Sequence, residues 1–160
     1  MTRWLLVAGD FVLHGGMDRA NYALARFLAR AGDQVELVTH YADAGLAALP
    51  GVVVHRVARP FGSHFVGSWY LSRAGRMRAK SAGAPIVVNG GNCAVPAANW
   101  MHYVHAAYSP EPPASLMRRW KGRITRAIDL RAERKAARLA PVVICNSERT
   151  RRDVIEHLGV

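Results

Sequence analysis

The sequence predicts an α/β fold, a single Rossmann-like domain with a parallel sheet flanked by helices. Short apolar runs of strand length recur along the chain, and an amphipathic segment of helix length follows the first of them. Strand, helix and second strand fit within about forty residues, the size of a βαβ unit, whose right-handed crossover makes the sheet parallel.

The first strand is "WLLVA", residues 4–8, wholly apolar as a strand covered on both faces would be. A loop leads into "HGGMDRANYALARFLARAG", residues 14–32. There Ala20, Ala23, Leu24, Phe27, Leu28 and Ala31 recur at spacings of three and four and form the expected hidden stripe. Gly32 stands where a left-handed cap is wanted. "QVELVTH" follows as the second strand. "VVVHRV" (52–57), "PIVVN" (85–89), "NWMHYV" (99–104) and "VVICN" (142–146) continue the pattern. After the breakers "SPEPP" a long helix is expected over 115–140. Ser147 caps a last helix over 148–157, ahead of Gly159. One connection resists this topology: "GGNCAVPAA" is short, whereas a parallel crossover usually takes about a dozen residues or more. An error in the topology is expected there first.

With 160 residues and 51% apolar composition, the chain can bury one sizeable core. Its 22 Lys and Arg against 11 Asp and Glu give a net charge of +11, and so a surface that attracts phosphates, acidic saccharides or anionic lipid. The two cysteines, Cys93 and Cys145, are too few for a disulfide framework and point to a reducing, cytoplasmic setting. The first apolar run is broken by Asp10 and has no small-residue cleavage site, so it reads as a strand and not as a signal peptide. No run approaches the roughly 18 apolar residues of a membrane span. His, Cys and carboxylates show no metal-ligand spacing, and no metal is expected.

Gly15 and Gly16 lie at the mouth of the first helix, with His14 beside them. Unpaired N–H groups and a partial positive charge gather at a helix N-terminus, and glycines let a phosphate or sugar approach the backbone. A plain tight turn accounts for the same residues, since neither Gly-x-Gly-x-x-Gly nor Gly-Lys-Ser/Thr is present. His105 falls at the carboxyl end of a predicted strand, where open α/β sheets bind ligands; His102, inside that strand, is the weaker candidate. Tyr108, Ser109 and Glu111 follow in a proline-flanked loop. The helix over 115–140 carries nine basic residues against Asp129 and Glu133. Its apolar stripe, Met117, Trp120, Ile124, Ile128, Ala132, Ala136 and Leu139, is expected to pack on the sheet. Arg118, Arg119, Lys121, Arg123 and Arg126 then face outward, as a solvated surface or as one for anionic lipid or an anionic acceptor.

"HGGMDRANYALARFLARAGDQVELVTH" resembles the opening of family 4 retaining glycosyltransferases, in which Gly-Gly-small/Met-acidic-Arg begins the first helix. "WMHYVHAAYSPEP" resembles their strand ending in Val-His with an acceptor-side loop behind it, and "VVICNSERTRRDVIEHLGV" the last strand and helix of their N-terminal domain. The three stretches occur in family order. Asp18 replaces the more usual Glu, and "GGNCAVPAA" is shorter than in many relatives.

The resemblance implies a GT-B arrangement, two Rossmann-like domains facing a cleft. Residues 1–160 would be the N-terminal, acceptor-binding domain, inactive alone, with the C-terminal donor-binding domain absent from this chain. It further implies that Gly15 and Gly16 approach the donor phosphate and the acceptor and that His105 is catalytic at the reacting sugar; His14, by its place beside the glycines, and Tyr108 and Ser109, by theirs behind the strand end, are candidate acceptor contacts. No cofactor is bound; a nucleotide-sugar donor is the co-substrate. The acceptor is a saccharide, a lipid-linked or a small molecule; apart from the resemblance, the charge of the basic helix, where it is more than a solvated face, would attach the domain peripherally to the inner face of a membrane. Two readings compete: a flavodoxin-like module holding a phosphorylated ligand at Gly15 and Gly16, and a basic nucleic-acid-binding domain. No helix-turn-helix, zinc-finger or RNA-recognition signature supports a specific nucleic acid.

Overall fold

Alternation along the first strand sets the layers. In β1 (Arg3–Val7), Leu5 and Val7 turn to one face and Leu6 to the other, and all three are buried. A strand so placed is covered on both sides. The computed structural model describes residues 1–108 and 116–160, with 116–121 described by backbone alone. After β1 come the two-residue β2 (Asp10–Phe11), α1 (Gly16–Arg30), β3 (Gln34–Thr39), β4 (Tyr41–Ala42), the single helical turn α2 (Ala44–Ala47) and β5 (Val52–Arg56). The second half adds α3 (His64–Ser81), β6 (Ile86–Asn89), β7 (Ala98–Met101), α4 (Leu116–Leu139), β8 (Val142–Cys145) and α5 (Glu148–Leu158).

Six strands form one sheet in the order β5-β3-β1-β6-β7-β8, each neighbouring pair parallel, while β2 and β4 pair separately. This is the Rossmann-like parallel sheet that the apolar runs predict. The chain leaves β1 toward β3 and β5, then returns to the other side of β1 for β6. Such a reversal opens a crevice at the carboxyl ends of the strands.

Helices α1 and α2 cover one face, packing Tyr22, Ala25, Leu28 and Leu46 on Leu6 and Leu37. Leu71 of α3 covers the other, against Leu5, Val7, Val38, Val88 and Cys93. A third cluster joins Met101 and Val104 to Ala137, Val154 and Leu158 of the last two helices. The predicted caps are in place: Gly32 has φ +86 after α1, Ser147 Oγ accepts the Thr150 N–H at 3.1 Å, and Gly159 is left-handed after α5. Among the described residues no helix is long and apolar enough to cross a membrane.

Four expectations are corrected. The buried face of α1 is Asn21, Tyr22, Ala25 and Leu28, so the stripe is turned, leaving Ala23 exposed and Phe27 69% exposed. Asn21 turns inward because its Oδ1 accepts the Asn89 side-chain N–H at 3.0 Å, a polar contact that apolar periodicity does not register. Helix α3 is not anticipated by the apolar pattern, because its buried positions are Gly67, Leu71 and Gly75. The strand expected over 99–104 ends at Met101; beyond it the His102 carbonyl accepts from Thr150 Oγ1, and α5 replaces the ladder. Finally, "GGNCAVPAA" joins parallel neighbours after all. Ala98 lies opposite Val87, two positions before the end of β6, so the chain need drop back only about 7 Å. A short segment manages that without a helix.

Gly75 illustrates how tightly that segment is held. A Cβ there would stand 2.8 Å from Cys93 Sγ and 3.0 Å from Val7 Cγ1. Gly75→Ala is expected to lower stability by about 1–3 kcal/mol, as overpacking does, despite alanine's better helix propensity. Urea unfolding measures this, and adding Cys93→Ala should recover part of the loss. Unchanged stability in the single variant would show that the core yields at this point.

Candidate active site

The entrance to α1 has an open backbone. Gly15, at φ 77 and ψ 153, adopts a conformation suited to glycine, and no side chain caps the helix. Among the described residues no side chain takes up the first N–H groups, which helix N-termini leave without intrahelical partners. A Cβ on Gly16 would meet nothing within 4 Å. Asp18 sits in this first turn, its carboxyl pushed up chiefly by burial and then by the charge of Asp10, with His14 and Arg59 opposing.

The neighbouring strands end beside it. Asn89 closes β6 and ties it to Asn21 of α1. The turn Gly90–Asn92 follows, and the Gly90 carbonyl accepts from Asn99 Nδ2 at 3.2 Å. Past the end of β7 the chain presents His102 and Tyr103, then the turn His105–Ala107. A cleft of about 330 Å³ opens here. Its walls include Met17 from the first turn of α1, Phe65 and Trp69 of α3, Asn89, the two histidines with Tyr103, and Asp129 and Glu133 of α4.

Glu133 is 1% exposed and is the only fully buried charged residue among those described. Both its oxygens lie 3.1 Å from the His105 backbone N–H, and Oε1 lies 3.0 Å from His105 Nδ1. A carboxylate can only accept, so Nδ1 donates. This bond raises the His105 pKa above the ordinary histidine value, against the opposing effect of burial; Glu133 and Asp129 charges add to the rise and Arg126 opposes it. The other ring nitrogen, Nε2, lies 3.1 Å from Tyr103 Oη. Burial first, then the charges of Glu133, Asp129 and Asp18, push the Tyr103 hydroxyl pKa up. His102 behaves oppositely. Burial lowers its pKa, its ring lies 4.5 Å from that of Trp100, and its Nε2 has no partner among the described residues. One cleft thus holds an imidazole biased toward the charged form and another toward the neutral form, a division that suits acid and base roles.

Of the residues singled out in the sequence, His105 lines the cleft, although it stands four residues beyond β7 and not at its last position. His102, given less weight as an in-strand residue, lines it too. Gly15 and Gly16 adjoin Met17 at the rim. His14 is exposed, and Tyr108 is 66% exposed just past the turn. Ser109 and Glu111 lie outside the described residues, as do the side chains of Met117, Arg118, Arg119, Trp120 and Lys121. Arg123 is exposed, while Arg126 is partly buried and close enough for its charge to act on His105. Of the expected stripe on α4, Ala136 is buried and Ile128 and Ala132 are half-buried at the cleft, but Glu133 and Ala137 lie inside with them while Ile124 is 50% and Leu139 41% exposed, so the inward face is shifted around the helix. Sequence reasoning missed Glu133, Tyr103 and the aromatic pair Phe65 and Trp69. The one available signal was Glu133 itself, one of two acids in a helix of arginines.

Fold and site together define an open parallel α/β domain with a cleft at the carboxyl ends of β6 and β7. The family model for Glycosyltransferase Family 4 matches residues 14–160, and the chain belongs to that family. Its fold is accordingly that of a glycosyltransferase domain. A comparison with curated proteins gives no match to the chain.

Proposed function

We propose that this domain is the acceptor-binding half of a retaining glycosyltransferase of GT-B arrangement, moving a sugar from a nucleotide-sugar to a saccharide, lipid-linked or small-molecule acceptor. In its support, an uncapped helix N-terminus and a carboxylate-anchored histidine converge on one cleft at the carboxyl edge of the sheet. The α1 amides and the helix dipole favour negative charge, so they would stabilise the departing diphosphate as charge develops. Phe65, Trp69 and Tyr103 line the cleft with rings on which a pyranose can stack, and the Tyr103 hydroxyl, held at His105 Nε2, is placed to hydrogen-bond with it. The cations that hold the donor would come from a second domain.

Two preparations test this. The 160-residue chain should give no turnover of a nucleotide-sugar above a hydrolysis blank. A polypeptide extended by a donor-binding domain should give a glycoside whose anomeric configuration, read by proton NMR, matches the donor. Turnover by the short chain, or an inverted product, would sink the proposal.

A further inference from the structure

A carboxylate removed from water is costly unless it is hydrogen-bonded. Among the described residues Glu133 meets that demand through His105, which it engages by backbone and ring alike. Its inward neighbours along α4 are the buried alanines 136 and 137, which ask for no charge. Gly91 lets α4 approach closely at this point, since a Cβ there would come within 3.1 Å of the Glu133 backbone nitrogen.

We propose that Glu133 is the positioning residue of this site: it fixes the tautomer and orientation of His105, and through His105 Nε2 it sets the hydrogen-bond direction of the Tyr103 hydroxyl. The inference rests on the reading of His105 as the histidine at the reacting sugar. The bond at one ring nitrogen decides what the other carries. With Glu133 accepting at Nδ1, the neutral ring keeps its proton there, and Nε2 accepts from the Tyr103 O–H. When a proton from solvent adds to Nε2, the direction reverses: the imidazolium donates to the Tyr103 oxygen, and the tyrosine O–H is free to donate to a ligand in the cleft. One proton added at the ring thus changes what the cleft presents at Tyr103.

The surroundings bear on this proton from every side. Asp129 reinforces Glu133 and Arg126 opposes it from the same helix. His64 and Arg76 of α3 line the facing wall. The inward residues of α5, Thr150, Val154 and Leu158, carry no charge.

The test is the proton–nitrogen NMR spectrum of the His105 ring across a pH titration of the 160-residue chain, in the parent, Glu133→Gln, Glu133→Asp and Tyr103→Phe. In the parent the neutral ring should be protonated at Nδ1, with a midpoint above that of free histidine. Glu133→Gln preserves shape and removes charge, so the midpoint should fall; Glu133→Asp should restore part of the rise. Tyr103→Phe should leave the proton at Nδ1. A parent ring protonated at Nε2 when neutral, or a midpoint that is not raised, overturns the inference whether or not the Gln variant folds. So does a Gln variant with the parent's midpoint and tautomer. In the two-domain enzyme Glu133→Gln should lower kcat at least about tenfold with KM changed little, as a wrong tautomer does. Failure of the functional reading would look different: full turnover in His105→Ala beside an unaltered parent ring spectrum.

Discussion

His105→Ala, made in a polypeptide that carries the donor domain, is expected to lower kcat at least about tenfold, or about 1.4 kcal/mol, with a smaller change in KM. The imidazole lines the cleft, anchored at Nδ1 by Glu133 and bonded at Nε2 to the Tyr103 hydroxyl, so truncation removes a group that is already oriented. Among its described partners the carboxylate of Glu133 would keep the backbone N–H of residue 105 alone, and a loss of about 1–3 kcal/mol in stability is expected beside the kinetic one. Thermal melting separates the two effects. The pH profile gives the sign. Because Glu133 holds the His105 pKa above the ordinary value, the imidazolium persists to higher pH than in a free histidine. Parent kcat should fall as pH rises through that raised midpoint, and this limb should be missing in the variant. The stability from the pair follows the same direction: complete below the unfolded histidine pKa of about 6.5, it is lost as pH rises through the folded value. A variant with the parent's kcat and pH profile would make His105 a purely structural residue.

Gly16→Val should act on the other substrate feature, raising KM for the donor about tenfold or more while the domain melts within about 0.5 kcal/mol of the parent. The reasoning is geometric. A Cβ at Gly16 meets nothing within 4 Å beyond its own turn, and its φ lies outside the left-handed region, so valine is expected to enter the folded chain without strain. It would occupy the space through which a phosphate reaches the α1 amides. Gly15 is a poorer probe, since its φ of 77 makes any substitution a backbone perturbation as well. Unchanged KM in Gly16→Val would detach the glycine turn from the site.

How much of this was legible in the sequence depended on which side chains face inward. Leu5, Leu6 and Val7, like Val35, Leu37 and Val38, are apolar and buried, and from such runs the six parallel strands followed. The caps Gly32 and Ser147 were legible for the same reason, because a local backbone demand has a local chemical answer. Both α1 and α4 were found, yet each was turned about its axis. In each the hidden face contains a polar residue, Asn21 or Glu133, whose partner is 68 or 28 positions away along the chain. Periodicity scores such residues as outward. Helix α3 was illegible for the opposite reason, since Gly67 and Gly75 are buried by what packs against them and carry no hydrophobic signal of their own. The site followed the same division. His105 was visible by its place near a strand end, and the Glu133 that holds it was not.

Without an α-helix between them, β6 and β7 are made in quick succession, which bears on the order of assembly. Every strand that borders the cleft has left the ribosome by Met101, but the wall that α4 supplies, with the carboxylate that orients the histidine, arrives about thirty residues later, seconds of synthesis at about 5–20 residues per second. During that interval a nascent sheet exposes its carboxyl edge and the His105 ring without their cover. The cleft is therefore a late product of folding, completed by a contact of long sequence separation, and a chain arrested before Glu133 would hold the strands of the site without its organising charge.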